Sequence, residues 1–354
     1  MTVGPFTHEA ASVRVVFGAG ARHQLAAEVD RLGLRHVVLV AARSCRVAAD
    51  ALSGLLDHRL TWRVDGVGRH AVVERAEEVA ADAARVGADG VVALGGGSAT
   101  GLAKAVALTG LALVAVPTTY AGWELTACWA TTDLGGHRHA GHDVMAGAAT
   151  VVYDPELTLG LPPEVTAASG INALAHCLEA LWSPGASPLS APLALEGARA
   201  LAEALPAAVA EPSDLKARSR LLLGACQAGM ALAGAGSGLH ERICQVVAGR
   251  LDVPPAQIHA AVLAHVVAFN EPVLGPLGAR MAVAVGAGRA STGLHELGTR
   301  LGLPMSLAGL GLADSTIPEV ADEVMQEVPA NPRPVDVDAI RTIVRAAWDG
   351  DLRS

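Results

Sequence analysis

The chain has 354 residues, is 51% hydrophobic and 17% charged, and carries a formal net charge of −9. So much apolar residue excludes intrinsic disorder. So acidic a chain, with only five Trp, two Tyr and three Phe, has neither the basic surface nor the stacking platform of a nucleic-acid binder. No apolar run approaches the roughly 20 residues of a membrane span. At roughly 100–200 residues per domain, the length implies two.

Taken in chain order, the first half alternates strand and helix. Residues 35–40 form a short apolar run rich in β-branched residues, followed by helix to about Leu55. Leu60–Val64 is a second strand and Val73–Val86 an amphipathic helix. Asp89–Leu94 is a third strand, 100–109 a helix, and Leu113–Pro117 a fourth strand. This alternation predicts a parallel sheet covered by helices. Beyond Tyr153-Asp154-Pro155 the pattern changes to long Ala- and Leu-rich segments: Pro163–Leu181, Ser190–Leu205, Leu215–Ala235, His240–Val247, His259–Phe269, Arg280–Gly288 and His295–Leu301. The expected organisation is an α/β domain over 1–155 and an all-helical domain over 156–354, with a ligand in the cleft between them.

Gly95-Gly96-Gly97-Ser98 closes the third strand and opens a helix. Glycines let the backbone approach phosphate oxygens, and the amides and dipole of the helix start favour an anion. Lys104 lies one turn in, where its side chain could reach a pyrophosphate. Apart from Lys216 it is the sole lysine in an arginine-rich chain, which suggests that a compact ammonium is wanted there.

Gly95–Lys104, then Pro117-Thr118-Thr119-Tyr120-Ala121-Gly122 and Tyr153-Asp154-Pro155-Glu156, resemble the iron-containing alcohol dehydrogenase superfamily, and within it the maleylacetate reductase branch. Gly170-Ile171-Asn172-Ala173-Leu174-Ala175-His176, Gly238-Leu239-His240 and Asn331-Pro332-Arg333-Pro334 continue the likeness. The resemblance implies a dehydroquinate-synthase-like fold: a Rossmann-like N-terminal domain and a helical C-terminal domain. It also implies NAD or NADP bound at Gly95, Gly96, Gly97, Ser98 and Lys104, with Thr118, Thr119 and Tyr120 lining the cofactor region.

The places that hold metal in the iron enzymes are degenerate here. Asn172 and His176 stand where an Asp and a His four residues later would lie on one helix face. The third ligand place falls on His240 or Glu241, and the fourth on Pro254 or Pro255. Proline has no donor atom, so no metal is expected. A rearranged set of His176, His240 or Glu241, and His259 is the alternative. Without a metal, hydride transfer still needs a proton donor for the developing anion, and His176, His240 and His259 are the candidates. Asn172, Glu241 and Trp123 are expected to line the substrate pocket. Residues 136–149 carry one Arg and three His in a stretch that is more basic in the reductase branch, so the substrate should be an enone, ketone or aldehyde less anionic than maleylacetate. His265, in an apolar helix, reads as structural.

The function expected is therefore an NAD(P)-dependent reductase or dehydrogenase working without metal on a small molecule. A non-redox lyase or cyclase using the same histidines and an inert binding subunit are the alternatives. The five scattered cysteines, without a Cys-x-x-Cys pair, and the lack of a basic leader before an apolar block in Met1–Gly20 imply a cytoplasmic protein. The apolar excess and the family's habit imply a homodimer.

Overall fold

The computed structural model describes residues 6–8, 12–68, 72–133 and 138–352. By internal contacts the chain forms two compact units. One is Ala11–Leu161, and the other combines Met1–Ala10 with Pro162–Ser354.

The first unit is a six-stranded sheet in the order β1-β8-β5-β4-β2-β3, with every neighbouring pair parallel. Its strands are β1 (Arg14–Phe17), β2 (Val37–Ala42), β3 (Leu60–Val67), β4 (Gly90–Gly95), β5 (Ala112–Pro117) and β8 (Ala148–Tyr153). The connecting helices are α1 (Leu25–Arg31), α2 (Arg46–Leu56), α3 (Val73–Arg85) and α4 (Gly97–Ala107). An antiparallel ribbon, β6 (Cys128–Thr132) with β7 (Arg138–His142), interrupts the run from β5 to β8. The central strands β4 and β5 are buried on both faces, hence their near-continuous apolar composition. Leu25, Val29, Leu39, Leu52, Leu56 and Val114 belong to one core cluster of this unit.

The second unit is helical: α5 (Pro163–Glu179), α6 (Ser190–Ala210), α7 (Leu215–Ala235), α8 (Leu239–Ala248), α9 (Pro255–Leu274), α10 (Pro276–Ala284), α11 (Ala290–Arg300), α12 (Ile317–Val324) and α13 (Val337–Asp349). α9 begins at Pro255, whose missing N–H costs nothing at a helix start, so it opens one turn before the expected His259. α5, α6 and α7 pack closely through small residues. A Cβ on Gly197 would sit 2.8 Å from Cys177 Sγ, and one on Gly224 would sit 2.8 Å from Leu201 Cγ. No single described helix is long and apolar enough to cross a membrane. Part of the basic stretch singled out in the sequence, Gly136-His137, lies outside the described residues.

Candidate active site

In the α/β unit, the turn after β4 is built by close approach. Gly95 has φ +147°, and a Cβ there would meet Ala42 Cβ at 2.7 Å and Ala99 Cβ at 2.9 Å. A Cβ on Gly96 would lie 2.8 Å from Thr119 Cγ2. Gly97 differs: a Cβ there would meet nothing within 4 Å. Gly96 is the N-cap of α4, so the first-turn amides of that helix leave its end beside open space, as an anion cradle requires. Thr119, on the strand side, is half-buried against this turn. Thr118 is buried with its hydroxyl 3.5 Å from Cys45 Sγ, and its N–H donates to the Gly95 carbonyl at 3.0 Å.

Three expected cofactor or pocket contacts take other roles. Lys104 does not reach the glycine turn. It is wholly buried, and Nζ donates to the carbonyls of Trp123 (2.9 Å), Thr126 (2.6 Å) and Cys128 (2.8 Å), with Thr126 Oγ1 at 3.2 Å. Burial pushes its pKa down to about 7, but the ring of oxygens rewards the ammonium with its three donors. The Trp123 ring, 4.5 Å from Nζ at its centroid, covers that ammonium, so Trp123 joins a lysine-centred clasp. Tyr120 is fully buried and belongs to the core.

In the helical unit the ionisable side chains converge on α5, α8 and α9. His176 and Asn172 share a face of α5. Asn172 Oδ1 is shielded from solvent without a hydrogen-bond partner. Glu241 Oε2 lies 3.8 Å from His176 Nε2 and 3.8 Å from His259 Nε2, and it too is buried without a hydrogen bond. Burial alone would raise the Glu241 carboxyl, but the His176 and His259 imidazoles hold it well below its usual range. Glu241 rather than His240 therefore faces His176. His240 is wholly buried behind, with Nε2 3.2 Å from the His259 carbonyl and 3.4 Å from Cys244 Sγ. Burial and the neighbouring His259 push its pKa down to about 3, so it is neutral at pH 7. The sequence reading placed it among the proton donors; in the structure its Nδ1 is buried without a hydrogen bond.

Glu179, which sequence reasoning passed over, organises this cluster. Its carboxylate accepts the backbone N–H of Gly238 (3.1 Å), His240 (2.7 Å) and Glu241 (3.2 Å). It thus caps α8 from a different helix, where a negative charge suits the dipole. Burial and the Glu241 charge raise it to about 7, against those three hydrogen bonds. A Cβ on Gly238 would lie 2.7 Å from Glu179 Oε1, so the cap needs glycine there. The sequence signal was a lone acid inside the apolar run Leu174–Trp182.

Two family descriptions match the chain: an iron-containing alcohol dehydrogenase over residues 12–155 and the C-terminal part of the Fe-containing alcohol dehydrogenase family over 166–348. The chain belongs to the iron-containing alcohol dehydrogenase family. As a member it is an NAD(P)-dependent oxidoreductase. It is 40% identical over 346 residues to the maleylacetate reductase of Burkholderia cepacia, covering 98% of each chain. It is 42% identical to maleylacetate reductase 2 of Cupriavidus pinatubonensis, covering 96% of each. Solved structures superpose closely. The maleylacetate reductase of a Rhizobium species has TM-score 0.92 at 38% identity, covering 98% of this chain and 99% of that one. An iron-containing alcohol dehydrogenase of Corynebacterium glutamicum has TM-score 0.93 at 39% identity, covering 99% and 98%. The fold is accordingly dehydroquinate-synthase-like.

The family's name implies a metal, and the donor set here departs from a full ligand shell. Pro254 and Pro255 offer no donor, and Asn172 offers a neutral amide in place of a carboxylate. His240 Nε2, Cys244 Sγ and a His259 ring nitrogen lie within 4.8 Å of one another. However, His240 Nε2 faces a carbonyl, and burial together with Glu241 and Glu179 holds the Cys244 thiol well above its usual range. The donors left facing one another are His176, Glu241 and His259, a carboxylate between two imidazoles.

Proposed function

We propose that this maleylacetate reductase-like oxidoreductase transfers hydride from NAD(P)H to an enone, keto or aldehyde substrate less anionic than maleylacetate, without a metal. The observation that carries the reading is Glu241 set 3.8 Å from both His176 and His259. When bound at Gly96, Gly97 and Ser98, the dinucleotide supplies the hydride for an electrophilic carbon. The Glu241 carboxylate, 3.8 Å from each Nε2, supplies a counter-charge to an imidazolium at His176 or His259. That imidazolium neutralises and then protonates the oxygen or carbon on which negative charge develops. The substrate leaves with one hydride and one proton gained. Glu179 holds the start of α8 in place through the amides of Gly238, His240 and Glu241. The substrate class rests on the stretch Val144-Met145-Ala146-Gly147-Ala148-Ala149, which carries no basic residue.

Two measurements test this. Elemental analysis and dialysis against EDTA should find well under one metal ion per chain and unchanged turnover. About one ion per chain, lost together with activity in Glu241→Ala, rejects the metal-free mechanism. Glu241→Gln should lower kcat by about 100-fold, the scale of a general acid's contribution. A substrate panel decides the class: kcat/KM for maleylacetate tenfold above that for neutral and monoanionic enones would reject it. We further place the protein in the cytoplasm as a homodimer. Light scattering at low micromolar concentration should give twice 35.8 kDa.

A further inference from the structure

The motif Asn331-Pro332-Arg333-Pro334 takes no part in the cluster around Glu241, yet its arginine is fixed in place. Asn270 of α9 donates through Nδ2 to Asn331 Oδ1 at 3.0 Å and accepts from Asn331 Nδ2 at 2.7 Å. Asn331 Nδ2 also donates to the Arg333 carbonyl at 2.8 Å, and the prolines on either side restrict the backbone. The Arg333 guanidinium lies over the Phe269 ring, 4.3 Å from its centroid, and Nη1 donates to the Phe269 carbonyl at 3.1 Å. Arg333 is exposed. Ordering an exposed arginine costs rotamer entropy, and a merely solvated cation needs no such holding.

Arg333 lines a cavity of about 590 Å³ within the helical unit, a size common among small-molecule sites. Arg341 and Arg345 of α13 line it too, and no Asp or Glu does. Two of these guanidinium groups already have acids outside the lining. Arg341 meets Asp322 at 3.4 Å and Asp338 at 3.2 Å, and Arg345 meets Asp314. Among the described residues no carboxylate pairs with Arg333. Phe269, Ile317 and Leu352 supply apolar wall. His265 lines the cavity as well; it is buried, and its Nε2 has no hydrogen-bond partner. Ala268, on the same wall, stands about half a turn round α9 from His259, so the cavity opens on the flank of α9 away from the Glu241 cluster.

We propose that this cavity is a second binding site, separate from the Glu241 cluster, for a small organic monocarboxylate with an apolar body. With Arg341 and Arg345 matched by acids, Arg333 leaves a single positive charge to be met. Its Nη1 is engaged by the Phe269 carbonyl, while Nε and Nη2 make no hydrogen bond to the described residues. That edge of the fork is open to a carboxylate, which guanidinium receives through two parallel N–H···O bonds. The apolar walls cover the body of the ligand and gain from its burial. A small hydrated inorganic anion would lose water there without that gain.

Calorimetric titration of the whole protein with 2-naphthoate and with its neutral isostere 2-naphthamide tests this. The carboxylate should bind at least about tenfold more tightly, the scale of a charge-assisted hydrogen bond. Arg333→Gln should remove that preference, leave naphthamide binding nearly unchanged and melt near the wild-type temperature, since the side chain is exposed. Ala346→Phe, which fills the cavity from α13, should remove the binding of both compounds. NADH affinity should stay at the wild-type value in each variant. Absence of naphthoate binding, equal wild-type affinity for the two compounds, or a carboxylate preference that survives in Arg333→Gln overturns the proposal. So does naphthoate binding that persists in folded Ala346→Phe or is displaced by NADH, since either places the compound elsewhere. Sulfate binding as tight as that of naphthoate would reject the organic class.

Discussion

At the residue scale, neighbouring glycines in one turn have different tasks. Gly96 admits Thr119, while Gly97 faces open space. Gly96→Val should therefore clash within the fold and destabilise it by about 1–3 kcal/mol. Gly97→Val should leave the melting temperature nearly unchanged and weaken dinucleotide binding at least tenfold by crowding the phosphate. Thermal melts beside calorimetric titrations separate the two, and equal melting losses would refute the distinction. The glycine turn was legible because a strand, three glycines and a helix start leave few alternatives. The lysine's destination was not. Its rarity correctly marked it as special, but sequence spacing cannot say whether a four-carbon stem turns toward the helix start or away from it. His240 and Glu241 posed a similar problem. Adjacent helical positions point about 100° apart, so which one faces His176 depends on the rotation of α8, and the Glu179 cap holds that helix start in place.

At the element scale, the segment between β5 and β6 has little regular structure beyond the short turn Trp123–Leu125. It is held instead by side chains. Lys104 ties two of its carbonyls and that of Cys128, at the head of β6, to α4, and the Tyr153 hydroxyl donates to Glu124 Oε1 at 2.6 Å, tying it to β8. Lys104→Met keeps the stem and removes the donors, stranding several buried carbonyls. It should cost about 3 kcal/mol or more and raise hydrogen exchange across 123–128 before the rest of the unit. Unchanged protection there would show that the clasp is not what orders the segment. The four strands expected from apolar runs form, with ends shifted by at most three residues. β1, β8 and the β6–β7 ribbon were missed, because Arg-Val-Val-Phe is short and residues 138–149 mix charged, glycine and apolar residues without a two-residue period. In the second half, α12 and α13 were overlooked behind Pro-rich turns, although their apolar faces pack into one cluster with Ile243, Val247 and Val262 of α8 and α9.

At the scale of the whole molecule, buried imidazoles set the acid limit. Burial lowers His240 to about 3 and His265 to about 4, from 6.5 in the open chain. Below pH 6.5 the unfolded chain gains protons that these two sites refuse, so stability falls as pH falls through the window from 6.5 toward 4 and 3. The depressed Glu241 carboxyl acts in the same direction at lower pH. Glu179, raised to about 7 from 4.5, opposes them, since its share of stability shrinks as pH rises between those values. Two histidines outweigh one carboxyl, so the melting temperature should drop steadily below pH 6 and more gently in His265→Leu. A flat profile down to pH 4.5 would contradict the burial of these rings. The change from alternating strand and helix to helix alone after Tyr153 was visible in composition. The part played by the earliest residues was not, because a hydrogen bond between His8 and Ser187 across 179 positions leaves no periodic trace.

That hydrogen bond has a consequence for biosynthesis. His8 lies in the helical unit, yet the chain then runs through the entire sheet before returning to it at Pro162. The α/β unit is thus an insertion into the helical one. Emerging from the ribosome, residues 11–161 hold every strand of their sheet and can close their core while α6–α13 are still untranslated. The helical unit must wait for α13, since Ile340, Ile343 and Val344 belong to the same core as Leu239 and Ile243. During that interval α5 exists with its apolar flank uncovered, and His176 and Glu179 have no partners from α8. The glycine turn after β4 is therefore assembled early in synthesis, and the cluster of His176, Glu179 and Glu241 only near its end.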